Sequence, residues 1–368
     1  MAAARTDPRT PLLVLAGPGS GKTACLAERI AHLRGCQRRG GLPPGAIVAL
    51  TFTRNAAREL EARWRARAGD DLAGQVEVRT FHAYGLRLLR DGWAEAYLGW
   101  SRFRVATTGQ MHRATTAAIA GVGLDVAPAT ALEAIGDAKL GRRTWRLRRA
   151  DAQALRAAYD AWLRDRQLID VHDMLVLPVE ILRAHAAARA ELRRRTAHIV
   201  SDEGRDWNRY QAALIAHAGG PRGPITAVGD HKQCIYGGSS PRYLVEFPLA
   251  FPRTRVVSLT RTYRLHAAVL AVANAVAAHI AGTTATGVPV RAAGPQPALH
   301  IARSAARERE WIAHELHALR ASGLPGRWAD AAVLLRTHQQ CHGILQALRA
   351  AGIPCRTPLS RPVACGAL

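Results

Sequence analysis

One stretch near the N-terminus, Ala16-Gly17-Pro18-Gly19-Ser20-Gly21-Lys22-Thr23, limits what this chain can fold into more than any other. It follows the apolar run Leu12–Leu15 and leads into the helical pattern Cys25–Leu33. Strand, glycine loop, Lys-Thr and helix in that order make a phosphate-binding loop, here with Ala16 in place of the first glycine. The glycines let backbone N–H groups turn inward and cradle phosphate oxygens. A lysine at the position of Lys22 reaches the β and γ oxygens, and a hydroxyl at Thr23 ligates Mg²⁺. Hydrolysis at such a loop also needs a carboxylate for the metal and a base for water. The run His198-Ile199-Val200-Ser201-Asp202-Glu203 supplies both at a strand end, with Asp202 placed for Mg²⁺ and Glu203 placed to activate water.

Further short apolar runs read as buried strands: Ile47–Thr51, Val76–Thr80, His198–Ser201, Ile225–Gly229 and Val256–Leu259. Between them lie apolar residues spaced at three and four, such as Ala56, Leu60 and Trp64, or Trp207, Gln211, Leu214 and Ile215. Alternating strand and helix predicts an α/β fold with a parallel sheet covered on both faces. Strand signals vanish over roughly residues 91–195, where Arg/Ala-rich amphipathic helices such as Ala152–Leu168 take over, so a helical insertion is expected there. After the Gly/Pro-rich stretch Gly282–Pro297 the pattern is strand (Leu299–Ala302), helix (Glu308–Leu319), strand (Ala331–Leu335), helix (Gln339–Ala350) and strand (Ile353–Arg356). That is the start of a second α/β unit, with too few strands before "SRPVACGAL" to complete a doubly wound sheet.

Charge adds a partner class. Of 368 residues, 51 are Lys or Arg and 28 are Asp or Glu, a formal charge of +23, and lysine occurs only at Lys22, Lys139 and Lys232. Arginine grips phosphate with a planar fork, so this excess points to a polyanion such as nucleic acid; a codon bias that scatters Arg and Ala everywhere is the competing explanation. No run of 18 apolar residues occurs, and the apolar stretch before the glycine loop is too short for a signal peptide. A cytosolic protein with no membrane association is expected. The six cysteines form no C-x-x-C pair and no zinc spacing, so ordinary reduced thiols are expected.

The order of segments resembles the UvrD/Rep/PcrA-like superfamily 1 DNA helicases. The matching segments are "LAGPGSGKT" (15–23), "ALTFTRNAARELEAR" (49–63), "RTFHAYGLRLLR" (79–90), "IDVHDML" (169–175), "SDEGRDWNRYQ" (201–211), "AVGDHKQCIYG" (227–237), "LTRTYR" (259–264) and "AVLLRTHQQ" (332–340). The resemblance implies a RecA-like ATP-binding domain formed by residues 1–90 and 196–264, a DNA-contacting helical subdomain at 91–195, and an incomplete second RecA-like domain at 265–368. It implies ATP and Mg²⁺ as cofactors and ATP hydrolysis coupled to 3′-to-5′ movement along single-stranded DNA, in repair or replication at the nucleoid. By the same resemblance Gln233 senses the γ-phosphate, Arg264 and Arg63 contact phosphate, Tyr263 stacks near adenine, and Phe52, Arg54, Phe81 and His82 face the DNA strand.

Departures from the family pattern are equally specific. No Gln precedes Gln37, so the family's adenine-reading glutamine segment is missing, and Ala24 stands where relatives have arginine. Gly238 and Ser239 replace a Trp-Arg pair, and His338 replaces an asparagine. The pattern Asp-Glu-Phe-Gln-Asp has become Asp202-Glu203-Gly204-Arg205-Asp206, which keeps the acids and loses the glutamine. The family's second-domain arginine is not expected within these 368 residues. These points carry an alternative expectation: a non-unwinding remnant or subunit that binds nucleotide and single-stranded DNA, with its second domain completed by another polypeptide. A small-molecule kinase, the other reading of a phosphate loop, would need an acceptor and show no DNA dependence.

Overall fold

The structure, a computed structural model, describes residues 3–42, 45–68, 76–220, 223–234, 241–280, 287–324 and 326–357. It divides into two units, Met1–Gln296 and Pro297–Leu368.

The larger unit is built on six parallel strands: β1 (Leu12–Ala16), β2 (Ala46–Thr51), β3 (Val76–Thr80), β6 (Thr196–Ser201), β7 (Ile225–Gly229) and β8 (Arg255–Leu259). Two-residue strands β4 (Arg104–Val105) and β5 (Leu168–Ile169) pair separately. The spatial order is β3-β2-β6-β7-β1-β8, so β1 lies between β7 and β8, with Leu12 opposite Thr226 on one side and Arg255 on the other. Every strand read from the sequence in this unit is present, within two residues of its expected bounds.

A parallel sheet buries both faces, and side chains alternate between them. Leu13, Val48, Leu50, Ile199 and Ala227 enter one core, and their neighbours Leu12, Val14, Ile47, Ala49, Val200 and Val228 enter the other. The interior strands β6 and β7 are buried along their whole length. The outer strands carry the charge, with Glu77 and Arg79 on β3 and Arg255 on β8, which keeps unpaired edges from templating another chain.

Helices α1 (Lys22–Arg38) and α2 (Arg54–Ala68) follow β1 and β2. Between β3 and β6 the chain is almost entirely helical: α3 (Phe81–Leu88), α4 (Ala94–Leu98), α5 (Thr108–Val122), α6 (Pro128–Leu140), α7 (Arg149–Arg164), α8 (Asp173–Ala184) and α9 (Ala186–Arg195). α5 starts at a capping box, Thr107 with Gln110. A separate apolar core of Ala114, Ala118, Ala131, Ile135, Leu155, Tyr159 and Leu163 holds α5, α6 and α7 together. Lys139 of α6 is fully buried and contacts Asp160 (2.8 Å), Asp170 (3.0 Å) and Asp173 (2.7 Å). α3 and α8 approach so closely that a Cβ on Gly85 would lie 1.9 Å from the Met174 carbonyl oxygen.

After β6 come α10 (Arg209–Gly219), α11 (Arg242–Val245), α12 (Phe247–Ala250) and α13 (Ala267–Ala278). Strand β9 (Arg261–Thr262) pairs with β10 (Val288–Pro289), so residues 265–296 group with the larger unit.

The smaller unit packs α14 (Ala305–Ala321) and α15 (His338–Ala350) around Ala313, Ile344, Leu348 and Ile353. Its expected strands, Leu299–Ala302, Ala331–Leu335 and Ile353–Arg356, form no ladder among the described residues. An apolar run becomes a strand only when neighbours accept its backbone groups. Here Leu299, Ile301 and Leu334 remain 88%, 83% and 91% exposed. No helix among the described residues is long and apolar enough to cross a membrane.

Candidate nucleotide-binding site

Three parallel strands, β1, β6 and β7, deliver chemistry to one edge of the sheet. Ligands of open parallel sheets bind at this carboxyl edge because successive loops converge there. β1 ends in the glycine loop, β6 in Asp202 and Glu203, and β7 in Asp230.

Gly19 and Gly21 both adopt left-handed backbone, at φ 70° and 88°. Gly19 is irreplaceable on space as well: a Cβ there would sit 2.4 Å from the Arg264 Cβ and 2.8 Å from the Thr262 hydroxyl oxygen. Gly21 caps α1 without a side chain, leaving the first N–H groups of that helix for a ligand. The Ser20 hydroxyl donates to the Gly17 carbonyl at 2.8 Å. Lys22 folds back, its Nζ donating to the carbonyls of Ala16 (3.1 Å) and Gly17 (3.4 Å). Burial pushes the Lys22 ammonium below its ordinary value; Glu203, Asp230 and Asp202 pull it back up, while Arg205 presses it further down. Thr23 is half-buried in the first turn of α1.

The loop is stitched to the segment after β8. The Thr262 hydroxyl donates to the Pro18 carbonyl at 2.8 Å, and the Tyr263 N–H donates to the Gly19 carbonyl at 2.9 Å. Tyr263 and Arg264 are thereby brought against the loop with their side chains exposed. Among the described residues this segment and the loop form one structural piece, although 244 positions separate Thr262 from Pro18.

Asp202 is buried and its N–H donates to the Leu50 carbonyl at 2.9 Å, tying β6 to β2. Burial, with Glu203 next to it, pushes the Asp202 carboxyl up to about 6. A buried carboxylate within the field of Lys22, together with the Thr23 hydroxyl in the first turn of α1, offers the donor types a Mg²⁺–triphosphate complex needs. The residues present therefore fit that group. Glu203 adopts left-handed backbone at φ 53° and contacts the Arg205 guanidinium. Gln233 donates through Nε2 to Asp230 Oδ2 at 2.6 Å, so it is held at the same edge.

The other residues expected to meet nucleotide or DNA differ in exposure. Arg63 pairs with Glu59 at 2.8 Å on the exposed side of α2. Phe81 is a correction: it is 1% exposed inside the core beneath the sheet, so its ring is not presented to a DNA strand. Its helix buries Phe81, Tyr84, Gly85 and Leu88, the three-and-four spacing of a core stripe. His82 is half-buried, and burial together with nearby His172 pushes its imidazole down to about 4, so it is neutral at pH 7. Phe52 is half-buried and Arg54 exposed at the turn between β2 and α2. Gly238, Ser239 and the His338 side chain lie outside the described residues. No disulfide joins the five described cysteines.

Comparison with known proteins places the chain in a family. A family model for the UvrD/REP helicase N-terminal domain matches residues 1–248. ATP-dependent DNA helicase UvrD2 of Mycobacterium tuberculosis is 34% identical over 376 aligned residues, covering 94% of this chain and 53% of that protein. ATP-dependent DNA helicase PcrA of Leuconostoc citreum is 30% identical, with 94% of this chain and 47% of that protein covered. ATP-dependent DNA helicase Rep of Escherichia coli is 31% identical over 72% of this chain and 40% of its own length. The chain thus spans about half the length of the relatives it matches. With a six-stranded parallel sheet, a glycine loop at its carboxyl edge and this match, the chain belongs to the UvrD/REP helicase family.

Proposed function

We propose that this chain binds Mg²⁺–ATP at the edge formed by β1, β6 and β7 and hydrolyses it, as the nucleotide-binding part of a motor that moves 3′-to-5′ on single-stranded DNA in repair or replication. The observation that carries the reading is that Glu203, Asp230 and Asp202 all act on the charge of Lys22, with Gln233 held to Asp230, beside a glycine loop tied to Thr262 and Tyr263. Gly19, Ser20 and Gly21 turn N–H groups toward the phosphates, and Lys22 exchanges its own loop's carbonyls for the terminal phosphate oxygens. Thr23 and Asp202 hold the metal, which when bound neutralises phosphate charge. Glu203 takes a proton from water as the water oxygen bonds to the γ-phosphorus and the bond to the ADP oxygen breaks. Arg264 and Gln233 contact the γ-phosphate, and Tyr263 offers an exposed ring to adenine.

For DNA, the supporting observations are the net charge of +23 and the half-buried ring of Phe52 beside exposed Arg54. Arginine contacts release counterions, so binding is sequence-tolerant and weakens steeply with salt. The division into an ATP-binding domain at 1–90 and 196–264, a DNA-contacting helical subdomain at 91–195 and a second RecA-like domain from 265 onward is part of this proposal, as are nucleoid association and a second polypeptide as partner. The test is titration with a fluorescent ATP analogue in Mg²⁺. Lys22→Ala removes the lysine that neutralises the terminal phosphates and is expected to weaken affinity by about 1.5–3 kcal/mol. Equal affinity in the two proteins overturns the assignment.

A further inference from the structure

Away from the carboxyl edge of the sheet, the segment that leads from α3 into the helical insertion walls a cavity of about 570 Å³. Its lining brings together Arg90, Arg102, Arg104 and Arg166, the aromatic residues Trp100 and Phe103, and a single carboxylate, Glu95. Four guanidinium groups and one carboxylate leave a net charge of +3 around one concave space. Arginine is abundant in this chain, but elsewhere arginines answer acids: Arg87 pairs with Glu77 and Asp91, Arg148 with Asp151, and Arg156 with Asp160. Among the described residues Arg90, Arg102 and Arg104 answer none.

Backbone hydrogen bonds hold these walls in place. The Trp100 N–H donates to the Ala94 carbonyl at 2.9 Å, which ties Trp100 to the start of α4. β4 then pairs with β5: the Arg104 N–H donates to the Gln167 carbonyl at 3.0 Å and the Ala106 N–H to the Ile169 carbonyl at 2.8 Å. This pairing sets Arg104 beside the end of α7, where Arg166 stands. Gln167 pays for the turn with left-handed backbone at φ 52°, a conformation that costs a non-glycine residue free energy and that gathers at functional sites. The Arg166 guanidinium lies 4.0 Å from the centroid of the Trp162 ring, and its Nη1 donates to the Trp162 carbonyl at 3.2 Å, so it too is held. Leu89 and Ala94 are buried in the core and close the floor. At Gly92 a Cβ would meet nothing within 4 Å, so that side stands open.

A volume of this size falls within the range of about 300–1,000 Å³ that small-molecule pockets occupy, so the occupant is a compact group and not the face of another protein. The lining sets its chemistry. Guanidinium forks take phosphate at two oxygens, and aromatic side chains take the flat face of any base. We propose that this cavity is a second nucleotide site, separate from the glycine loop, which holds a nucleoside phosphate by its base on Trp100 and Phe103 and by its phosphate on Arg90, Arg102 and Arg104. The protein itself supplies the positive charge, so binding here does not require Mg²⁺. The inference does not rest on the reading of the loop. A free nucleotide and one unit of a single strand offer the same chemistry, and the test separates them.

The test is calorimetric titration of the full chain carrying Lys22→Ala, in EDTA and about 50 mM salt, so that the loop is silent. The probes are ADP and a 5′-phosphorylated thymidylate tetramer. At least one is expected to bind with Kd below about 1 mM, and Arg102→Gln together with Arg104→Gln to weaken it about tenfold or more. Binding of ADP identifies the ligand as a free nucleotide; binding of the tetramer alone identifies it as one unit of a strand. Arg303→Gln with Arg349→Gln, two exposed arginines of the smaller unit, removes the same charge outside the cavity and leaves affinity unchanged. The base-free counterparts, pyrophosphate and an abasic tetramer, bind about tenfold more weakly, the scale of one stacked base. Three results overturn the proposal: neither probe binds, the two double variants lose affinity equally, or the base-free counterparts bind as tightly as the probes. Should the cavity double variant not fold, Arg102→Gln alone, at a position in neither helix nor strand, carries the comparison, and an undiminished affinity overturns it.

Discussion

Asp202 carries the clearest cost at the site. Its folded value, about 6, lies above its ordinary 3.8 because burial and Glu203 disfavour the charge. Between these values the folded protein holds a proton that the unfolded chain has lost, so stability falls as pH rises through that window and the cost is fully present above it. The cost is on the order of 3 kcal/mol at neutral pH. Asp202→Asn is therefore expected to raise the melting temperature of the nucleotide-free protein at pH 7.5 and to raise it by about half as much at pH 5. Equal shifts at the two pH values would show that burial of this carboxylate is not the cause. At this scale the loop was legible, since only glycine suits the left-handed backbone at Gly19 and Gly21. Phe81 was legible too, because the stripe Phe81, Tyr84, Gly85 and Leu88 has the spacing of a core face; family position pointed the other way. The contact between Glu203 and Arg205 was not legible, because it depends on left-handed backbone at a glutamate, which residue type does not announce.

Among the elements, the helices between β3 and β6 depend on one buried lysine. Lys139 joins Asp160 at the end of α7 to Asp170 and Asp173 at the start of α8. Asp173 also accepts from the Asp170 N–H at 3.0 Å, and Asp170 accepts from the Asp173 N–H at 2.9 Å, so the turn into α8 closes on itself around the ammonium. Lys139→Met would leave three carboxylates facing one another without a cation, and breaking a buried ionic cluster in this way costs about 3–5 kcal/mol. A denaturant melt followed by circular dichroism is expected to show the midpoint falling accordingly, and an unchanged midpoint would mean that the carboxylates are compensated from another side. Nothing in the spacing connects Lys139 with residues 21 to 34 positions away, so the sequence could not reveal this staple. The strands of the large sheet were readable because both of its faces are buried, which makes their apolar runs continuous. Among the described residues the same kind of run at Leu299–Ala302 and Ala331–Leu335 forms no ladder, since an apolar pattern states a preference for burial and not its satisfaction.

Across the whole molecule, strand order decides which residues meet. A sheet ordered β3-β2-β6-β7-β1-β8 sets the ends of β6, β7 and β1 side by side, although β1 and β6 are separated by some 180 residues of sequence. Parallel pairing was legible from the alternation of strand and helix, but the spatial order was not, because it depends on which crossover packs on which face. That order puts Lys22 within the fields of Asp202, Glu203 and Asp230, and the account of function stands or falls on this meeting. Its most direct test is phosphate release from Mg²⁺–ATP by the purified chain, with and without a single-stranded oligonucleotide. The predicted result is turnover that the oligonucleotide stimulates at low salt and that drops about a hundredfold or more in both Lys22→Ala and Glu203→Gln. Turnover in these two variants equal to that of the unaltered chain would contradict it.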